Sequence, residues 1–152
     1  MTTPEQFQEI LDSPEGTRIE FKAASGTFHL EELVKYCVAL ANEGGGTVVL
    51  GVTDARPRQV VGTRAFAEPG RTEAGLYERL GHRVRIEEHF AGGQRVLITH
   101  VPSRLPGTAW TYEGAFWMRA CGFRSNPITR FAPIRSVVSE VSDHPPVRPS
   151  AR

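Results

Sequence analysis

Three acidic residues could do chemistry if the fold gathers them. Glu15 lies in Pro14-Glu15-Gly16, Glu20 in Ile19-Glu20-Phe21-Lys22, and Asp54 follows Gly51-Val52-Thr53. Three carboxylates in one place repel one another unless a cation neutralises them, and all-oxygen ligation suits Mg²⁺ or Mn²⁺. Such an ion can activate water or stabilise the charge of a phosphodiester during cleavage. Lys22 shares a strand face with Glu20 and could hold a phosphate oxygen. Arg119 and Arg124, near the end of a late hairpin, are further phosphate candidates. Each residue also has an ordinary explanation. Glu20 can be a solvated strand carboxylate, Glu15 and Asp54 turn residues, and the arginines solvated surface.

Other segments are weaker signals. Trp110, Tyr112, Phe116 and Trp117 cluster at the hairpin, where aromatic side chains either stack on unpaired bases or fill core and cross-strand positions. Gly44-Gly45-Gly46 resembles a phosphate-cradling loop only superficially. It runs helix, glycines, strand, the reverse of a P-loop, and it lacks the following Lys-Ser/Thr. A helix C-terminus also repels phosphate, so these glycines are expected to be structural. Asn42 either caps that helix end or takes part in binding. Cys37 falls in an apolar helical pattern and is expected in the core, and the five histidines have no zinc-ligand spacing.

The elements that must position these residues are legible from pattern. Thr3-Pro4-Glu5 starts a helix with Phe7, Ile10 and Leu11 on one stripe, and Ser13-Pro14 stops it. Thr17–Lys22 alternates as a strand, with Ile19 and Phe21 on one face and Arg18, Glu20 and Lys22 on the other. Leu30–Asn42 is the clearest helix, ended by the glycines, and Thr47–Val52 is a central strand. A short strand is expected at Gln59–Gly62, a helix at Glu73–Leu80, and strands at Arg83–His89 and Arg95–Val101. A hairpin of Thr108–Tyr112 with Ala115–Ala120 and a last helix over Pro133–Val141 complete the reading. The expected fold is α+β, a single domain over residues 1–141 with a mixed or antiparallel sheet and two or three packed helices. Residues 142–152 are Pro-rich and polar and are expected to be a disordered tail.

Net charge is +1, but it is unevenly distributed. Residues 1–54 hold nine acids and three bases, a net of −6, whereas residues 55–152 hold eight acids and fifteen bases, a net of +7. Sixteen of the eighteen basic residues are arginine, the side chain that pairs bidentately with phosphate. No apolar run approaches the ~20 residues of a membrane span. The N-terminus lacks the pattern of a secretory signal. The expected location is cytoplasmic, with no membrane partner.

Three pieces together resemble the Schlafen AlbA-type domain: Glu15-x4-Glu20-Phe21-Lys22, then Ala39-x-Ala41-Asn42 through Gly45-Gly46 to Gly51-Val52-x-Asp54, then Val60-Val61-Gly62. The segment Ala115–Ala120 looks like that family's late strand. The resemblance covers roughly residues 5 to 140. It implies a nucleic-acid-binding domain, with RNA favoured over duplex DNA. Some Schlafen proteins are endoribonucleases that cut tRNA and rRNA with three metal-binding acids, whose positions here are Glu15, Glu20 and Asp54. The resemblance thus carries an expectation of Mg or Mn as cofactor. It also implies a homodimer, since two such lobes embrace the substrate in Schlafen proteins. Many bacterial relatives carry the fold in a binding role alone. The competing expectation is therefore a non-catalytic regulatory, nucleotide-binding or protein-interaction module.

Overall fold

A computed structural model describes residues 1–14, 18–119 and 131–134. The element order is α1 (Pro4–Asp12), β1 (Ile19–Lys22), α2 (Leu30–Asn42), β2 (Gly46–Leu50), α3 (Pro69–Leu80), β3 (Arg85–Ala91), β4 (Gln94–Val101), β5 (Phe116–Arg119) and β6 (Phe131–Ile134). Strands β1 to β4 form one mixed sheet in the order β1-β2-β4-β3. β1 and β2 are parallel, with Glu20 opposite Val48, and α2 is the crossover between them. The other two pairings are antiparallel. β5 and β6 make a separate antiparallel pair.

Helices cover both faces of the sheet. α1 is fixed at its start by a capping box: the Gln6 N–H donates to the Thr3 hydroxyl at 3.2 Å and the Thr3 N–H to the Gln6 side chain at 2.9 Å. Its apolar stripe, Phe7, Ile10 and Leu11, packs on Phe21, Val49, Val96 and Ile98. On the opposite face, α2 buries Leu33, Val34, Cys37 and Leu40 against Val48, Leu50 and Leu97, and Leu76 of α3 closes the same core. Val48, Val49 and Leu50 are all fully buried because β2 has a helix on each side, hence a continuous apolar run rather than alternation.

The end of α2 is a Schellman turn. The Gly44 N–H donates to Ala41 O at 3.3 Å and the Gly45 N–H to Leu40 O at 2.8 Å, with φ of +102° and +83° at the two glycines. Gly46 is needed for a different reason: a Cβ there would lie 2.3 Å from the Arg18 carbonyl oxygen. The glycine run is structural, as its order in the chain implies. At the sheet's outer edge, Glu73 of α3 accepts the Ile86 N–H of β3 at 2.6 Å. Near the N-terminus, the Thr2 N–H and hydroxyl donate to Glu87 of β3, and His100 Nε2 lies 3.4 Å from the same carboxylate.

Three expected elements differ. Gln59–Gly62 contributes only a single bridge, Val60 to Val52. Thr108–Tyr112 is not a strand paired with β5: Tyr112 bridges only Ala115, and β5 pairs with β6 instead. The backbone of Trp110 is engaged by the Asn42 side chain, which removes it from any strand ladder. Pro133 and Ile134 belong to β6, not to a helix. A proline that could open a helix is equally tolerated in a short edge strand. Residues 135–141, and the expected tail at 142–152, lie outside the described residues.

Two outcomes follow from this packing. Gly46→Ala should lower stability by about 1–3 kcal/mol, because backbone must move to admit the methyl group; an unchanged urea midpoint would contradict the close β1–β2 approach. Burial acts to raise the Glu87 pKa, but the Thr2 N–H, the N-terminal charge and His100 outweigh it, and the carboxyl titrates below its ordinary 4.5. A carboxyl lowered in the folded state contributes stability above its ordinary value and loses it as pH falls toward the folded value. The stability advantage of wild type over Glu87→Gln should therefore be full near neutrality and vanish on acidification, read from urea midpoints across that range.

Candidate functional site

Glu20 and Lys22 point to the α2 side of β1, while Ile19 and Phe21 face α1. The alternation read from the sequence is right, but the Glu20 face is not solvated: Glu20 is only 9% exposed, under α2 and β5. Lys22 Nζ lies 3.0 Å from Glu20 Oε1 and 5.2 Å over the Tyr36 ring. Burial acts to lower the Lys22 pKa, but the Tyr36 hydroxyl and the Glu20 charge outweigh it, so the ammonium is held above its ordinary value. Burial raises the Tyr36 hydroxyl. The pair is therefore a charged ammonium and a neutral phenol at neutral pH.

Arg119 reaches this cluster from β5. Its Nη1 is 3.4 Å from Glu20 Oε2, its Nη2 and Nε are 2.6 and 2.8 Å from Glu43 Oε2, and its backbone N–H donates to Glu43 Oε1 at 2.8 Å. The structure thus brings Glu20, Lys22 and Arg119 together. The Arg119 side chain is 8% exposed, so in this arrangement its guanidinium bridges two carboxylates rather than facing solvent. Glu43 was missed as a partner, although a signal existed. An acid directly after a helix's last turn sits at the negative end of the dipole and calls for a nearby cation.

Asn42 does not cap its own helix. Its side-chain amide donates to Trp110 O at 3.0 Å and its oxygen accepts the Trp110 N–H at 2.9 Å. Trp110 is 4% exposed and stacks on His82 with centroids 4.3 Å apart. Trp117 lies under Lys35 Nζ at 4.7 Å and donates its indole N–H to Tyr112 O. These hairpin aromatics are spent on packing. Cys37 is in the core, where burial pushes its thiol pKa up.

Asp54 lies in the loop that follows β2. The Thr53 N–H donates to Gln59 O at 2.9 Å, closing a loop past the end of β2. Arg58 of this loop lies 3.9 Å over the Phe21 ring, on the face opposite Glu20. Arg56 and Arg58 donate to Ser13 O at 2.5 and 2.7 Å, tying the loop to the end of α1 just before Pro14-Glu15. Glu15 and Arg124 themselves lie outside the described residues. Among the described residues, no three His, Cys, Asp or Glu side chains group to hold a metal ion. A divalent ion at the Glu20 carboxylate would meet both the Lys22 and Arg119 cations, so Glu20 as held here does not fit a Mg²⁺ or Mn²⁺ ligand.

The arginines divide into two groups. Arg56, Arg58, Arg95 and Arg104 bond backbone carbonyls, and Arg119 bonds carboxylates. Arg79 bonds the Gly75 carbonyl of its own helix. Arg18, Arg64, Arg71, Arg83 and Arg85 are exposed, and their guanidiniums make no hydrogen bond or ion pair among the described residues. Sequence reading noted the arginine excess without separating the two groups, because that separation depends on which carbonyls the fold leaves open.

Arg119→Met should cost about 3–5 kcal/mol, since it leaves Glu20 and Glu43 buried without their shared cation. Urea denaturation measures this directly; a loss well under 1 kcal/mol would mean the bridge does not hold β5 to α2.

A crystal structure of the DIP2311 protein from Corynebacterium diphtheriae matches with a TM-score of 0.59 at 17% identity, covering 86% of this chain and 29% of that one. The chain thus corresponds to well under half of that protein's length. This likeness shows the fold. The solution structure of the N-terminal domain of a RecG-related protein from Nitrosomonas europaea matches with a TM-score of 0.48 at 20% identity, covering 90% of this chain and 95% of that one. The Schlafen, AlbA_2 family profile matches residues 15–122, which span Glu20, the α2 turn and Arg119. The chain belongs to the Schlafen, AlbA_2 family.

Proposed function

We propose that this domain binds nucleic acid, RNA in preference to duplex DNA, through arginine–phosphate contacts. The observation that carries the reading is the set of exposed guanidiniums at Arg18, Arg64, Arg71, Arg83 and Arg85, which have no partner among the described residues. A free guanidinium offers a forked, permanently charged donor set that matches a phosphate. Family membership supports the nucleic-acid reading; the RNA preference rests on the resemblance to RNA-cutting Schlafen proteins. The glycine turn after α2 does not support a nucleotide-phosphate site, because its N–H groups already close onto the carbonyls of the last helical turn.

A second reading, metal-dependent endoribonuclease acting through Glu15, Glu20 and Asp54 with Mg or Mn, is favoured by one observation. Arg56 and Arg58 hold the Asp54 loop against Ser13, just ahead of Glu15. Against it stands the engagement of Glu20 by Lys22 and Arg119. Binding without cleavage is the better-supported form.

The two readings separate in one experiment. Purified protein is incubated with tRNA, with and without Mn²⁺, and both binding and cleavage are followed. Binding whose affinity falls steeply with salt, without cleavage, is the expected result. Cleavage that requires Mn²⁺ and disappears in Asp54→Asn would establish the nuclease; Asp54 is the informative position because Glu20 also holds the fold together. Salt-insensitive or undetectable binding would overturn the nucleic-acid reading in favour of a protein-interaction module.

A further inference from the structure

The parallel strands β1 and β2 end beside an open depression of about 780 Å³, lined among others by Ser25, Val61, Arg64, Ala67, Gly93 and Arg95. Ser25 lies just past the end of β1. The Val61 and Gly62 N–H groups donate to the oxygen of Gly51, the residue that follows β2, at 2.9 and 3.0 Å. The depression therefore opens outside the carboxyl ends of the parallel pair, the side on which open sheets with parallel strands seat ligands.

Its walls are held by backbone and by one arginine. The Arg64 N–H donates to Ser25 O at 3.2 Å, and the Thr63 N–H to Arg95 O at 2.8 Å. Arg95 Nη1 donates to Ala65 O and its Nη2 to Phe66 O, each at 2.8 Å, which braces this loop against the start of β4. Arg95 is thus spent, with its Nε also holding Glu88 at 2.6 Å. Arg64 is not: its exposed guanidinium has no partner among the described residues, and neither has the exposed Ser25 hydroxyl. No acidic side chain lines the depression among the described residues. The Arg95 charge is offset by Glu88, so the charge left over is that of Arg64. Val61, 38% exposed, adds an apolar surface. A pre-formed hollow of this size, with small and apolar lining and a few convergent polar groups, suits a ligand as large as one nucleotide.

We propose that this depression seats one nucleotide of an unpaired RNA strand, its phosphate on the Arg64 guanidinium and the Ser25 hydroxyl and its base against Val61. The assignment rests on the nucleic-acid reading above. It adds which of the five exposed arginines meets the strand and that the strand is unpaired. A nucleotide in duplex RNA is stacked between its neighbours and cannot enter.

The test is fluorescence anisotropy with a short fluorescein-labelled oligouridine and a labelled RNA duplex of equal length. Arg64→Gln should reduce the salt slope of oligouridine binding by about 0.7, the share of one single-strand phosphate. Ala67→Glu sets a negative charge in the depression and should weaken oligouridine binding about tenfold while leaving duplex affinity unchanged. Arg71→Gln, on α3 and outside the depression, should leave the salt slope as in wild type. All three positions are exposed, so circular dichroism melts should match wild type. If Arg64→Gln and Ala67→Glu bind oligouridine as wild type does, the depression is not the site while the nucleic-acid reading stands. Equal weakening of both probes by Ala67→Glu would overturn the restriction to an unpaired strand. If wild type binds neither probe, the site and the nucleic-acid reading both fall.

Discussion

The last turn of α2 is the point at which the domain's segments are tied to one another. Its carbonyls, at the negative end of the helix dipole, need donors, and the chain supplies them from the glycine turn and from Arg104. Gly44 and Gly45 close the Schellman turn, the Arg104 N–H reaches Ala41 O at 3.0 Å, and Arg104 Nε reaches Asn42 O at 3.3 Å. The Asn42 side chain holds the Trp110 backbone, and Glu43 holds Arg119, which in turn reaches Glu20 on β1. Helix, sheet and late hairpin are thus fixed at one buried polar junction, flanked by two arginines whose charge suits a helix C-terminus.

That junction bears on how the family's motif should be understood here. Residues that catch the eye as chemistry — Glu20, Lys22, Arg119, Asn42 — are in contact, but with each other and with backbone. Their arrangement gives each a structural reason to be there: each satisfies a buried group that another leaves open. A buried carboxylate needs a cation, and a shared guanidinium needs both carboxylates. Among the described residues, the guanidiniums without a partner lie elsewhere, on Arg18, Arg64, Arg71, Arg83 and Arg85.

Much of this was legible in the sequence, and the failures have physical causes. α1, α2 and the β3–β4 hairpin were readable because capping residues, 3.6-residue periodicity and a tight glycine turn each act locally. The faces of Ile19 to Lys22 were readable from alternation alone. What alternation could not reveal is that the polar face of β1 lies beneath α2 and β5, which buries Glu20 rather than exposing it. Trp110 was misplaced in a strand because its backbone is satisfied by a side chain 68 positions away. Pro133 was misread because its constrained backbone serves a helix start and an edge strand equally well. The division among arginines was invisible for the same reason as the Asn42 contact: both depend on long-range neighbours.

One small contact has a wider consequence for how copies of this chain can meet. β3 is an outer strand of the sheet, and such strands invite addition of a further strand from another molecule. The Glu73 carboxylate occupies the outward Ile86 donor, so an incoming chain would find a fixed negative charge where it needs a free N–H. Strand-to-strand association is disfavoured at the start of this edge.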